Sequence, residues 1–130
     1  MKQCNSHWWS VQLPDDWGTE RDDTCTSMFS GTGVGALQVS AARNSNGAAT
    51  DDDLRDFAKE HLAAGATITP ASCGAFTGLY LHYATDDMYQ RQWWLRCDDT
   101  VVLATYTSDL DDKGKEDSIV DTILGTLQRI

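Results

Sequence analysis

The stretch Met88–Thr107 constrains the fold most. Tyr89–Cys97 and Thr100–Thr107 carry the densest β-branched and aromatic content in the chain, with only Asp98 and Asp99 between them. Such residues fit a pleated, half-buried surface. The pattern predicts two antiparallel strands joined by a tight acidic turn, and the remaining segments must pack around that ribbon.

Further strands are expected at His7–Leu13, Thr24–Ser30, Ala36–Ala42, Ala66–Cys73 and Ala75–Thr85. The two-residue period puts Trp9, Val11 and Leu13 on one face, and Leu37, Val39 and Ala41 on one face. Pro70 marks its strand as an edge or a bulge. The first three strands read as an antiparallel meander. Thr50 reads as the N-cap of a helix over Asp51–Ala64, with three aspartates complementing its dipole and Gly65 just past its end. Leu54, Phe57, Ala58 and Leu62 form its apolar stripe. Ile119, Val120, Ile123, Leu124 and Leu127 predict a second helix over Lys115–Arg129. Runs of strands with helices between them predict an α+β fold. The expectation is a single antiparallel sheet of about six to seven strands flanked by two α-helices, in one domain over residues 1–130.

The chain has 20 acids and 10 bases, a formal net charge of −10. A nucleic-acid binder needs a basic footprint and an anionic membrane attracts basic segments, so both partners are excluded. A basic or mixed-charge protein would be steered toward this surface. Met1–Trp9 holds no apolar run long enough for a signal peptide, and a cytoplasmic location is expected. Cys4, Cys25, Cys73 and Cys97 lie far apart with no C-x-x-C pair, and are expected to be reduced thiols rather than metal ligands.

No catalytic signature stands out. Gly31-Thr32-Gly33-Val34-Gly35 lacks the spacing of a dinucleotide fingerprint and leads into a strand, so it reads as a flexible turn. Asp109-Leu110-Asp111-Asp112-Lys113-Gly114 begins like a calcium loop, but Lys113 and Val120 stand where oxygen ligands are required. His7, His61 and His82 have no metal spacing, and no serine has a nucleophile-elbow context. Catalytic residues, cofactor and metal are therefore all read as none. Trp8-Trp9 and Trp93-Trp94 are pairs on strands, so the rings of each pair point to opposite faces. Either helices cover both faces, or one ring of a pair joins Arg91, Arg96, Tyr80 or His82 in a partner-binding hot spot.

The opening Trp9-Ser10-Val11-Gln12-Leu13-Pro14-Asp15-Asp16-Trp17 resembles the start of small bacterial domains of the Mog1/PsbP-like fold. So do Gly35–Ala41, the mid-chain helix, Arg91–Leu95 and the closing amphipathic helix. The resemblance implies an α/β/α sandwich acting through binding, and some acidic bacterial proteins of similar architecture look like immunity proteins that neutralise a toxin by contact. It carries no catalytic residues. The expected function is a non-enzymatic protein-binding domain, and the resemblance implies an immunity protein that neutralises its toxin through an acidic surface. Asp15, Asp16, Asp22, Asp23, Asp109, Asp111, Asp112, Trp94 and Arg96 are the expected contact residues. The alternative is a small-molecule carrier with an aromatic pocket between sheet and helix.

Overall fold

The computed structural model describes residues 1–130 and is mostly β. It holds two antiparallel sheets and three short helices, which corrects the expected single sheet flanked by two helices. The small sheet has the order β1-β2-β10, from Lys2–Asn5 (β1), Trp9–Leu13 (β2) and Gln128–Arg129 (β10). The large sheet is built from β3 (Trp17–Arg21), β4 (Thr26–Ser30), β5 (Gly35–Arg43), β6 (Thr69–Cys73), β7 (Phe76–Ala84), β8 (Met88–Cys97) and β9 (Thr100–Asp109). Its order is β3-β4-β5-β9-β8-β7-β6.

The anticipated ribbon is the centre of this sheet. β8 pairs with β9 from Met88↔Asp109 to Cys97↔Thr100. Asp98 takes φ 51° in the turn, a left-handed conformation that aspartate tolerates better than most residues. Ala49 N–H donates to the Asp98 carbonyl and Asn44 N–H to that of Asp99, both at 2.7 Å, so the loop after β5 is fastened to this turn.

The expected first strand does not pair with Thr24–Ser30. β2 crosses into the small sheet, where it lies between β1 and β10. The partner of β4 is instead β3, whose Trp-Gly-Thr-Glu-Arg sequence shows no apolar alternation. The second expected helix is also cut short. Helix α3 covers only Asp117–Leu124. Thr126 Oγ1 donates to the Ile123 carbonyl at 2.6 Å and accepts Gln12 N–H at 2.7 Å, which ends the helix and ties it to β2. Leu127 is fully buried and leads into β10. Its spacing from Ile123 and Leu124 suits a helix equally well, so periodicity alone could not reveal the turn.

The main core lies between the two sheets and α3. Trp9, Val11 and Leu13 from β2 meet Leu37, Val39, Trp93, Leu95, Val102, Ala104 and Tyr106, with Val120, Ile123 and Leu124 from α3. Burying each large side chain contributes about 1.5–3 kcal/mol. Gly35 belongs to this packing rather than to a flexible loop, because a Cβ there would stand 2.5 Å from the Tyr106 hydroxyl and the Thr107 carbonyl.

A smaller core forms on the opposite face. The expected mid-chain helix breaks at Ala58 into α1 (Asp51–Phe57) and α2 (Lys59–Ala63). Its start is as anticipated: Asp53 N–H donates to Thr50 Oγ1 at 3.2 Å and Thr50 N–H to Asp53 Oδ2 at 2.9 Å, a capping box. Leu54 and Ala58 pack on Leu79, Leu81, Trp94 and Val101, while Phe57 and Leu62 remain exposed. These helices cover β7 and β8. Ser27, Phe29, Ser40, Leu103 and Thr105, on the same face of β4, β5 and β9, stay half-exposed.

Candidate functional site

The strand registers sort the acidic residues into two ends of the large sheet. One end carries the Asp98–Asp99 turn, the turn after β3 and the start of α1. The other carries Asp15–Asp16 before β3, the β7–β8 turn at Asp86–Asp87, and Asp109 leading into a 3₁₀ turn over Leu110–Asp112.

At the first end Asp22, Asp51 and Asp99 have partners, whereas Asp23 has no cation within 4.0 Å. Arg129 Nη2 meets Asp99 Oδ1 at 2.8 Å, and Arg43 Nε lies 3.9 Å from Asp99 Oδ2. Arg96 Nε donates to Asp51 Oδ1 at 2.8 Å. Arg129 holds the Asp99 carboxyl below its ordinary range, and Arg96 does the same for Asp51. Asp22 Oδ1 accepts the amides of Thr24 and Cys25, each at 2.8 Å, and the Thr24 hydroxyl at 3.1 Å. These bonds, led by the Thr24 amide, lower the Asp22 carboxyl too.

The second end differs. Asp16, Asp86, Asp87, Asp109 and Asp111 have no cationic group within 4.0 Å. Asp16 accepts only the Ser30 hydroxyl, at 3.1 Å, and Asp87 only that of Thr85, at 3.2 Å, from side chains. Asp15 lies 3.5 Å from the terminal amine. Asp112 alone has a side-chain cation, Lys115 at 2.7 Å, and that carboxylate raises the lysine. Asp109 and Asp87 are neighbours here, since Leu110 N–H donates to the Asp87 carbonyl at 3.0 Å.

Of the anticipated contact residues, Asp15, Asp16, Asp109, Asp111 and Asp112 thus share one end. Asp22 and Asp23 lie at the other. Trp94 is 2% exposed beneath α1, so it is a core residue rather than part of a contact surface. Arg96 is half-buried and held by Asp51. Asp86 and Asp87 join the acidic end without having been singled out. Their signal is a pair of aspartates in a hairpin turn, which reads first as turn chemistry.

The carboxylates of α3 reach buried groups of the sheet instead, although Asp121 itself is exposed. Arg91 is 6% exposed and lies over the rings of Trp93 and Tyr80, at 4.7 and 5.2 Å from their centres. It donates to Asp121 at 2.6 Å and to the Tyr80 hydroxyl at 2.8 Å, and its Nη1 lies 3.7 Å from Asp117. Burial opposes its charge, but the bonds to Tyr80 and Asp121 outweigh this and favour the cation. The Tyr89 hydroxyl donates to Asp117 at 3.1 Å, and that of Tyr106 to Glu116 at 2.8 Å. Burial and these carboxylates push both phenols well above their ordinary range. Cys73, in the same region, is pushed up to about 11 by burial. Every strong group in this cluster has a partner, which describes a clamp holding α3 to the sheet.

Two clefts open at the surface. One of about 710 Å³ lies between Trp8 and the turn after β3, lined in part by Arg21, Cys25 and Ser40. Another of about 700 Å³ lies beside β7, between His61 and Tyr83. No three His, Cys, Asp or Glu side chains converge as metal ligands do. All four cysteines are unpaired, with Cys4 and Cys73 buried. No helix is long and apolar enough to cross a membrane.

No protein-family model matches the chain, and no curated protein matches it. Among solved structures, it is similar to a crystal structure from Bacteroides thetaiotaomicron VPI-5482 determined at 1.50 Å resolution, with a TM-score of 0.70 and 17% identity. The similarity covers 95% of this chain and 45% of that one, so this chain spans less than half the length of that protein. At this identity the likeness concerns the fold.

Proposed function

We propose that the chain works by binding a protein partner of basic or mixed charge through the acidic end that holds Asp15, Asp16, Asp86, Asp87, Asp109 and Asp111. The observation that supports it is the contrast in pairing. At the opposite end Asp51 is matched with Arg96, and Asp99 with Arg43 and Arg129, while none of these six meets a side-chain cation and only Asp15 lies near a cation, the terminal amine. Clustered, unmatched, solvent-exposed charge of one sign steers an oppositely charged partner and selects against like-charged ones. An immunity protein that neutralises a toxin by contact is one role of this kind, and it rests on the resemblance to small acidic bacterial domains. A cytoplasmic location accords with that role.

The test is co-expression with the product of the adjacent gene. A complex that forms at low salt and weakens as salt rises is expected. Absence of any complex at low salt, or a neighbour that is not a toxin, removes the basis of the immunity role. The carrier reading has less support, because both large clefts are open grooves with mixed linings rather than enclosed apolar cavities.

A further inference from the structure

We infer that the free edge of β7 at His82–Ala84 receives an extended, basic segment of the partner, which adds a strand to the large sheet beside the acidic end. This deepens the binding reading above and rests on it.

The edge is open because β6 stops short. β6 starts at Thr69, opposite Tyr80, so from Leu81 onward β7 has a neighbour only in β8. The direction of the backbone groups follows from two hydrogen bonds. Thr85 N–H donates to the Met88 carbonyl at 2.9 Å, which turns Thr85, and by alternation Tyr83 and Leu81, toward β8. Thr69 Oγ1 donates to the Tyr80 carbonyl at 3.5 Å, on the opposite side. His82 and Ala84 share the direction of Tyr80, so their amides and carbonyls point out of the sheet. Both residues are exposed.

The chain before β6 is drawn away from this edge. Gly65 takes φ 86°, a conformation that favours glycine, and Ala66 N–H caps α2 on the His61 carbonyl at 3.0 Å. Ile68 then packs into the helix-side core. What remains is the cleft of about 700 Å³, with Ala66 and Thr67 on one wall and Leu81, His82 and Tyr83 on the other. Its width comes from this divergence, and the backbone groups it exposes match an extended strand.

The other edges of the large sheet carry guards. β6 contains Pro70, which cannot donate to a ladder, and β3 carries Glu20 and Arg21. At β7 the guard is missing and the charge is one-sided. Asp86 and Asp87 follow directly, exposed and without a cationic partner. Pairing two copies edge to edge would join chains that each carry a net charge of −10, which disfavours a second copy as the occupant. A lysine- or arginine-rich extended segment satisfies both the ladder groups and the aspartates.

The experiment uses the full chain, labelled with ¹⁵N, and a capped synthetic heptapeptide of alternating lysine and valine at low salt. In the free protein, the amides of His82 and Ala84 are expected to exchange faster than those of Leu81 and Tyr83. The peptide is expected to slow His82 and Ala84 by about tenfold or more, the scale of one gained hydrogen bond. His82→Pro removes an outward amide without touching the β8 ladder, and is expected to weaken binding by about tenfold. If that variant does not fold, the exchange measurement on the unaltered chain still decides. Peptide binding with unchanged exchange at His82 and Ala84 overturns this inference and leaves the broader binding reading standing. Failure of the peptide to bind overturns it as well, while a partner complex would still support the broader reading. Concentration-dependent protection without peptide would show a second copy in the edge and overturn the basic-segment assignment.

Discussion

At the two ends of one sheet, residues of the same type meet opposite fates. Asp51 and Asp99 end on arginines at 2.8 Å, whereas Asp86, Asp109 and Asp111 face solvent with no cation within 4.0 Å. Strand register explains the difference. It brings Arg43 and Arg96 to the end with the β8–β9 turn, and β10 brings Arg129 there, while the other end receives Lys113, Lys115 and the terminal amine. The difference teaches that net charge alone does not locate a surface. A carboxylate already matched by an arginine is part of the fold, and under the proposed binding role it is an unmatched one that meets a partner.

The largest expected effect comes from Trp94. If it is core, Trp94→Ala costs about 3–5 kcal/mol in urea unfolding, the range for emptying a buried aromatic site. A loss of partner binding with unchanged stability would instead return Trp94 to the contact surface. Next comes Arg91. Arg91→Ala leaves Asp121 and Asp117 facing a half-emptied clamp and is expected to cost about 3 kcal/mol, at the low end for breaking a buried pair because both aspartates retain some exposure. A cost near zero would place the α3 carboxylates with the free acidic end.

Titration sharpens the contrast further. The folded state lowers the carboxyls of Asp22, Asp51 and Asp99, all at the matched end. Their contribution is present above the ordinary carboxylate range, near pH 4, and is lost as pH falls through it. The phenols of Tyr89 and Tyr106 are raised, so their contribution is complete below their ordinary value near pH 10 and is lost as pH climbs beyond it. Thermal unfolding followed across pH should decline at both limits. Asp51→Asn should flatten the acid limb. The smallest effect is expected from salt. Arg129→Ala should destabilise slightly, and less at high salt than at low salt, because this half-buried ion pair is only partly screened.

Much of the fold could be read from residues. The β8–β9 ribbon, the capping box at Thr50 and the inward sets Trp9-Val11-Leu13 and Leu37-Val39-Ala41 all follow from local chemistry. The second sheet could not be read. β1 and β10 are short, β3 lacks apolar alternation, and the pairing of β10 with β2 links residues more than a hundred positions apart. The end of α3 depends on the long-range bond between Gln12 and Thr126. Four of the six candidate aspartates, Asp15, Asp16, Asp109 and Asp111, were visible in acidic runs. Which runs face arginines, and which edge β6 leaves open, are properties of register, and one residue of slip would change them.

The most direct measurement compares the two ends against one basic probe. The lysine–valine heptapeptide is titrated into Asp86→Asn/Asp87→Asn/Asp109→Asn and into Asp22→Asn/Asp51→Asn/Asp99→Asn at low salt. Each triple variant removes the same charge. A clear loss of affinity in the first and near-unchanged affinity in the second is the expected result. Equal losses at both ends would contradict the account, because binding would then follow total charge rather than the unmatched end.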